Sequence, residues 1–90
     1  MPTVHFTANL KRFYPDLVPF EVEAHTVAEL IHAVEAKHLG LRDYLVDDQG
    51  QLRKHVNVFV GNTLIADRIG LSDALTAQDE VYIMQALSGG

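Results

Sequence analysis

Apolar and polar side chains alternate along four stretches of the chain, which is the pattern of β-strands with one buried face. In residues 3–9, Val4, Phe6 and Ala8 fall on one side of the predicted strand, and the residues between them are polar. The alternation recurs in residues 18–24 and 80–87, and residues 55–60 place valine at every second position. The pattern therefore predicts strands in all four stretches, each with an apolar side toward the core.

Proline and glycine residues refine these predicted strands. In the second stretch Val18 is expected on the inner side, but Pro19 cannot donate a ladder hydrogen bond, so this strand belongs at a sheet edge or begins late. Residues 55–60 are dense in β-branched side chains and give the strongest strand signal. A glycine–asparagine pair at 61–62 is typical of a turn, and residues 63–65 are expected to form a short returning strand.

Between the second and third strands the apolar period changes from two to that of a helix. Thr26 and Glu29 have the spacing of a capping box, with the threonine at the N-cap. Apolar residues then recur at Val27, Leu30, Ile31 and Val34. Gly40 is expected to end the helix at the C′ position. The prediction is one main helix over residues 27–38.

Three shorter segments complete the predicted order of elements. Residues 41–46 are expected to form a short turn of helix or an irregular bridge, residues 47–51 a turn, and residues 71–75 one helical turn. The order is then strand, strand, helix, strand, short strand, strand, tail. A hairpin followed by a crossover helix and further strands predicts an α+β domain of the β-grasp type. Its mixed sheet has four to five strands, one face of which is covered by the helix.

Composition and charge limit the function classes. The 90 residues fit a single domain, and they include no cysteine, which excludes disulfides, thiolate metal sites and a cysteine nucleophile. The formal net charge of −5 argues against nucleic-acid binding and favours steering toward a partner with a basic surface. No apolar run is long enough for a membrane span, and residues 1–13 lack the pattern of a signal peptide, so we expect no membrane partner and a cytoplasmic location.

Histidine is the only residue type that invites a metal-site interpretation. The five histidines are His5, His25, His32, His38 and His55. No pair among them has the spacing of a zinc site on a helix, and no cysteine assists, so we expect no bound metal. No histidine is placed by the sequence to form a catalytic triad with Ser72 or Ser88. We therefore expect no catalytic residue and no bound cofactor in this chain.

The sheet face turned away from the helix carries a predicted apolar cluster. If Val58 points toward the helix, Phe59 points away from it, and the same alternation in residues 80–87 turns Tyr82 and Met84 outward. The two strands are neighbours in a β-grasp sheet, so Phe59, Tyr82 and Met84 would form an exposed patch suited to docking a partner. A register slip of one residue, or Phe13 or Tyr14 folding over the patch, would remove it.

The sequence ends on Ser88-Gly89-Gly90, and this end is a candidate functional site. Residues 1–86 are expected to form the domain and residues 87–90 a flexible tail. Glycine is usually placed where the backbone must turn or where something must approach it closely, so the end itself is a candidate reactive group. A frayed terminus without function is the alternative.

Taken together, these features resemble the ubiquitin-like sulfur-carrier family of the MoaD/ThiS type. The resemblance covers all 90 residues and rests on the strand order, on VNVFVGN at 56–62, on GLSDALTAQDEVYIM at 70–84 and on the terminal glycine pair. The pattern of these motifs is most similar to that of the cysteine-pathway carriers. The motifs leave the pathway open, so the sulfur could end in molybdopterin, thiazole, cysteine, another metabolite or a tRNA base.

The resemblance implies a carrier that is acted on by other enzymes and is not itself an enzyme. An activating enzyme would use ATP to adenylate the Gly90 carboxylate, with Ser88 and Gly89 threaded into its site. A sulfur donor would then convert the adenylate to a thiocarboxylate, which gives its sulfur to an acceptor enzyme. Two alternatives stay open: a ubiquitin-like modifier joined through Gly90 to a lysine of another protein, and a plain interaction module.

Overall fold

The computed structural model describes residues 1–12 and 14–85. The elements in chain order are β1 (Thr3–Phe6), α1 (Ala8–Lys11), β2 (Phe20–Glu21), α2 (Val27–Lys37), α3 (Arg42–Leu45), β3 (Val56–Val60), β4 (Thr63–Leu64) and β5 (Glu80–Gln85). The five strands form one sheet in the order β2-β1-β5-β3-β4, with β1 and β5 parallel and the other neighbours antiparallel. This mixed sheet with one main helix confirms the predicted β-grasp fold.

The core lies between α2 and the inner face of the sheet. The helix contributes Val27, Leu30, Ile31 and Val34, all of them buried as the helical period predicted. The sheet contributes Val4, Val56, Val58, Val81 and Ile83, which have no exposed surface. None of the described polar or charged residues is buried, so the interior is stabilised by apolar contacts.

The predicted bounds of the first two strands were too long. Thr7 is the N-cap of α1, so β1 ends at Phe6, and Ala8 is exposed on the helix while Leu10 is buried instead. The second strand is reduced to Phe20–Glu21, as expected for a chain with a proline just before it. Val18, predicted to face inward, is 57% exposed.

Residues 71–75 are not helical, although the sequence predicted one helical turn there. The N-terminus of α2 explains this difference. The N–H groups of Val27 and Ala28 need acceptors outside the helix, and they donate to the carbonyls of Asp73 and Leu71. The 71–75 segment presents those carbonyls in a non-helical form, in which Ala74 makes an antiparallel bridge with Thr26 and Leu71 has a left-handed φ of 55°. The Thr26 hydroxyl accepts from Glu29 N–H, but the Glu29 carboxylate accepts from His25 N–H, one residue before the N-cap.

The C-terminus of α2 also differs in detail from the prediction. The helix ends at Lys37 with His38 as its C-cap, so Gly40, whose φ is +91°, lies two residues beyond the cap and not at C′. The Glu35 carboxylate accepts hydrogen bonds from the N–H groups of Gly40 and Arg42 at 2.9 Å each. Because Arg42 begins α3, Glu35 joins the two helices, and the short helix expected within residues 41–46 is confirmed.

Candidate functional site

The tail residues Ser88, Gly89 and Gly90 lie outside the described residues, and the structure describes the chain as far as Gln85, which we call the root of the tail. The last described residue, Gln85, ends β5, which is the middle strand of five. Gln85 pairs with Val56 of β3, and its N–H donates to the Thr7 hydroxyl at 3.4 Å. The root of the tail is therefore held from both sides.

The outer face of the sheet carries the three predicted docking residues on one side, so the predicted register is confirmed. Phe59 pairs directly with Tyr82, while Met84 pairs with Asn57. Tyr82 is 37% and Met84 42% exposed, and Phe59 is half-buried. Their sequence neighbours Val58 and Ile83 point to the opposite side and are fully buried.

A fourth apolar side chain, which the sequence analysis missed, extends this patch. Leu64 of β4 pairs with Phe59, so it lies on the same face, and it is 48% exposed. We call Phe59, Leu64, Tyr82 and Met84 the outer-face cluster. A shallow depression of about 460 Å³ opens beside it. The depression is lined by Phe59, Gly61, Asn62, Glu80, Tyr82 and Met84.

Tyr14, one of the two residues that could have covered this cluster, lies elsewhere. Its hydroxyl donates to the carbonyl of Leu39, and its ring makes edge contacts with His38 and Tyr44 near the two helices. Phe13, the other candidate, lies outside the described residues. Tyr14 therefore leaves the outer-face cluster accessible.

A histidine and a glutamate order one side of the cluster. The His5 Nε2 and Glu80 Oε1 atoms are 2.6 Å apart, and the His5 ring stacks on Tyr82 with centroids 4.6 Å apart at an interplanar angle of 14°. Sequence reasoning placed His5 on the outer side of its strand but did not connect it to Glu80. The parallel pairing of β1 with β5, which local patterns do not report, brings these residues together.

Arg68 borders the outer face on the side opposite to His5 and Glu80. Its Nη1 atom donates to the Asn57 side-chain oxygen at 3.0 Å, and its Nη2 atom donates to the Arg53 carbonyl at 2.6 Å. Asn57 precedes Phe59 by two residues and faces the same way, so the guanidinium lies next to the cluster. The sequence analysis missed Arg68 because it lies in a loop without periodic pattern.

The loop that carries Arg68 is built around two carboxylates. The Asp73 carboxylate accepts from the N–H groups of Ala66 and Asp67 at 2.9 Å each. The Asp67 carboxylate accepts from the Ser72 hydroxyl at 2.6 Å and from the Gly70 N–H at 2.8 Å. The Ser72 hydroxyl first, and then the Gly70 N–H, lower the pKa of Asp67 from 3.8 to about 2, because both favour the ionised form.

This lowered pKa predicts a loss of stability in acid. The folded-state pKa lies below the unfolded one, so the contribution of Asp67 is complete above pH 3.8 and is lost as the pH falls toward 2. We expect urea unfolding to show a larger loss of stability between about pH 5 and pH 2.5 in the wild type than in Asp67→Asn. Asp48→Asn, a change in an exposed turn, should follow the wild type. Equal losses in wild type and Asp67→Asn would contradict the role given to this carboxylate.

Neither a metal-binding cluster nor a membrane-spanning helix is present in the part of the chain that the structure describes. Residues 1–12 and 14–85 contain no group of three or more histidine, aspartate or glutamate side chains that could hold a metal ion. They also contain no helix long and apolar enough to cross a bilayer. The outer-face cluster and the root of the tail are therefore the features that call for a functional explanation.

The fold and the accessible outer face define a protein of the ubiquitin-like class, and comparison with known proteins gives its family. The model described as the ThiS family matches residues 4–90. The chain is 31% identical over 65 residues to small archaeal modifier protein 3 of Haloferax volcanii, covering 72% of this chain and 70% of that protein. It is 31% identical over 67 residues to the sulfur carrier protein CysO of Mycobacterium tuberculosis, covering 72% of each.

A solved structure agrees with these relatives over the full length. The crystal structure of the BexX/CysO complex of Amycolatopsis orientalis contains a chain that superposes with a TM-score of 0.84 at 26% identity, with both chains covered completely. The chain therefore belongs to the ThiS family of ubiquitin-like sulfur carriers, which confirms the resemblance seen in the sequence.

Proposed function

We propose that this protein is a sulfur carrier whose Gly90 carboxylate is adenylated by a partner enzyme and then converted to a thiocarboxylate. The observation that carries the proposal is the family match, which runs through residue 90 and so includes the terminal glycine pair. The thiocarboxylate would give its sulfur to an acceptor enzyme in the biosynthesis of a cofactor, an amino acid or another metabolite.

The proposed chemistry follows from the poor reactivity of a carboxylate toward nucleophiles. A Gly90 carboxylate oxygen attacks the α-phosphorus of ATP, pyrophosphate leaves, and the acyl adenylate forms. Hydrosulfide delivered by the sulfur donor then attacks the acyl carbon, the bond from that carbon to the AMP oxygen breaks with AMP taking the electron pair, and loss of the sulfur-bound proton leaves the thiocarboxylate. ATP is a substrate of the activating enzyme in this scheme, and this chain contributes no catalytic residue or bound cofactor.

The root and composition of the tail suit this role. Residues 86–90 can extend by at most about 17 Å from Gln85, so the activating enzyme must bring its adenylation site within that distance of the sheet. Gly89 and Gly90 present no β-carbon, and Ser88 is small, so the end of the chain is narrow enough for a confined site. The chain has no cysteine, and the terminal carbon would carry the sulfur in its place.

The outer-face cluster supplies the surface for docking in this proposal. Phe59, Tyr82 and Met84 are apolar, partly exposed and close to the root of the tail. Burying them against an enzyme would stabilise the complex by removing apolar surface from water, and it would fix the direction in which the tail enters the active site. We assign this face to both the activating enzyme and the acceptor enzyme.

A ubiquitin-like modifier is the second candidate, and the 31% identity to small archaeal modifier protein 3 favours it. A modifier would use the same adenylate, but a lysine amine of another protein would be the final nucleophile. The product at Gly90 separates the two functions. Mass spectrometry should find a thiocarboxylate at the C-terminus of a carrier, and it should find an isopeptide-linked Gly90 remnant on a target lysine for a modifier.

A further inference from the structure

The guanidinium of Arg68 is fixed in place but has no charged partner within the described chain. Two of its five N–H donors bind neutral oxygens, those of the Asn57 side chain and the Arg53 carbonyl, which leaves three donors for another group. No carboxylate in residues 1–12 and 14–85 forms an ion pair with it. A half-buried cation that is positioned by neutral acceptors retains its full charge for an external ligand.

The Arg68 guanidinium lies at the border of the outer-face cluster. Asn57, whose side-chain oxygen accepts from Nη1, pairs with Met84 across β3 and β5, so the guanidinium borders the cluster at the Gln85 end of β5. Among the other charged groups on this face, Glu80 contacts His5 at 2.6 Å, and Glu21 lies on the edge strand β2, on the far side of β1. A partner that covers the cluster near Met84 would therefore meet the unneutralised positive charge of Arg68 there.

The loop keeps Arg68 in this position before any partner arrives. Its neighbour Asp67 receives hydrogen bonds from Gly70 and Ser72, and the Arg68 carbonyl accepts from Leu52 N–H at 2.9 Å. An arginine that is already ordered loses little conformational entropy on binding, and its planar fork matches a carboxylate in two parallel hydrogen bonds. The geometry suits recognition of an aspartate or glutamate.

We propose that the activating enzyme docks on the outer-face cluster and places an Asp or Glu carboxylate against Arg68. This inference rests on the proposed function and adds a contact that selects the partner. The net charge of −5 disfavours acidic surfaces at long range, so the carboxylate is a local contact surrounded by apolar surface. A protein that covers the cluster without such a carboxylate would bury the Arg68 charge unpaired and bind less tightly.

A substitution at Asn57 tests this contact without removing Arg68. Asn57→Asp puts a carboxylate where the amide oxygen accepts from Nη1 at 3.0 Å, so Arg68 keeps its position but gains an internal ion-pair partner. We expect the melting temperature to stay equal or rise, while the Kd for the purified adenylating enzyme of the same organism rises at least about tenfold. Arg68→Gln should raise the Kd to a similar extent. The Kd of Arg68→Lys should lie between those of Arg68→Gln and the wild type, because lysine keeps the positive charge but cannot form the two parallel hydrogen bonds of a guanidinium.

Arg42→Gln is the matched control, because Arg42 is an exposed arginine on α3, which packs against α2. Its Kd should stay within about twofold of the wild type. The ratio of the Asn57→Asp and wild-type Kd values should also shrink as salt is raised, since the lost interaction is between charges. A purely structural role for Arg68 would give folded Arg68→Lys and Arg68→Gln proteins the same affinity, and a neutral acceptor on the enzyme would leave that ratio independent of salt.

The outcomes separate this inference from the proposed function. If the wild type is adenylated and Asn57→Asp binds as tightly as the wild type, the contact at Arg68 is wrong and the carrier function stands. If the adenylating enzyme neither binds nor adenylates the wild type, both are wrong. Weaker binding by Asn57→Asp and Arg68→Gln, with melting temperature and Arg42→Gln affinity preserved, supports the contact.

Discussion

Deleting Gly90, or replacing Gly89 with phenylalanine, is expected to abolish adenylation while the domain stays folded. The deletion moves the reacting carboxylate by one residue, and the phenyl ring blocks entry to a narrow site. Displacement of a reacting group by about 1 Å can cost on the order of a hundredfold in rate, and one residue spans more than 3 Å. ATP-dependent pyrophosphate exchange by the activating enzyme should therefore fall at least about a hundredfold for either variant.

This experiment is informative only if both variants fold, and the structure indicates that they do. The described core residues all lie before Gln85, so changes at Gly89 or Gly90 should alter stability by no more than about 0.5 kcal/mol. Leu39→Ser, at a position that is 79% exposed, serves as a control and should keep wild-type exchange. Undiminished exchange by the chain without Gly90 would show that the terminal carboxylate is not the group that is activated.

Adjacent glutamate substitutions in β3 are expected to have opposite consequences. Val58 has no exposed surface, and a glutamate there would bury a carboxylate among apolar side chains. The cost should exceed about 4 kcal/mol, a large part of the 5–15 kcal/mol that stabilises a typical domain, so Val58→Glu should be largely unfolded by circular dichroism. Phe59→Glu should lower stability by roughly 1 kcal/mol, because that side chain is only half-buried.

Phe59→Glu, which costs little stability, should have a large effect on binding to the activating enzyme. Phe59→Glu places a charge at the centre of the outer-face cluster, so it should remain folded and lose most of its affinity for the activating enzyme. His32→Glu is the matched control, because His32 is exposed on α2 and should tolerate the same charge without loss of binding. A folded Phe59→Glu protein with wild-type affinity would remove the docking role from this face.

Long periodic segments made most of the fold predictable from the sequence. The alternation around Val58 and Ile83 gave the correct side of both strands, and the helical spacing from Val27 to Val34 gave the buried side of α2. Both patterns reflect burial against one continuous core, which local sequence reports well. Short elements carry too few residues for a period, so α1 was missed and the extent of β2 was overestimated.

The wrong prediction at residues 71–75 has a different cause. The segment has the apolar spacing of one helical turn, but its carbonyls satisfy the N–H groups of Val27 and Ala28 more than forty residues earlier in the chain. This long-range demand overrides local preference. An isolated antiparallel bridge between Thr26 and Ala74 joins the same two parts of the chain.

The residues of the candidate site also differ in whether local sequence patterns could predict them. Phe59, Tyr82 and Met84 follow from strand alternation and were predicted, whereas Leu64 belongs to a strand of only two residues. Arg68 reaches the outer face from a loop, and only the tertiary structure brings it to Asn57. The two contacts that order the face, at His5 and at Arg68, join residues 75 and 11 positions apart.

Thiol-directed alkylation gives the most direct measurement of the central claim, that Gly90 carries sulfur. The chain has no cysteine, so the protein as translated should be inert to iodoacetamide. After incubation with the activating enzyme, ATP and a sulfur donor, it should gain one adduct, which peptide mapping should locate at Gly90. Mass alone is ambiguous, because exchanging oxygen for sulfur resembles oxidation of Met1 or Met84, but a sulfoxide does not alkylate. If the correct enzyme turns over ATP and neither this adduct nor a Gly90 remnant on a lysine is found, both proposed functions are contradicted. A remnant without the adduct would contradict the carrier function and leave only the modifier.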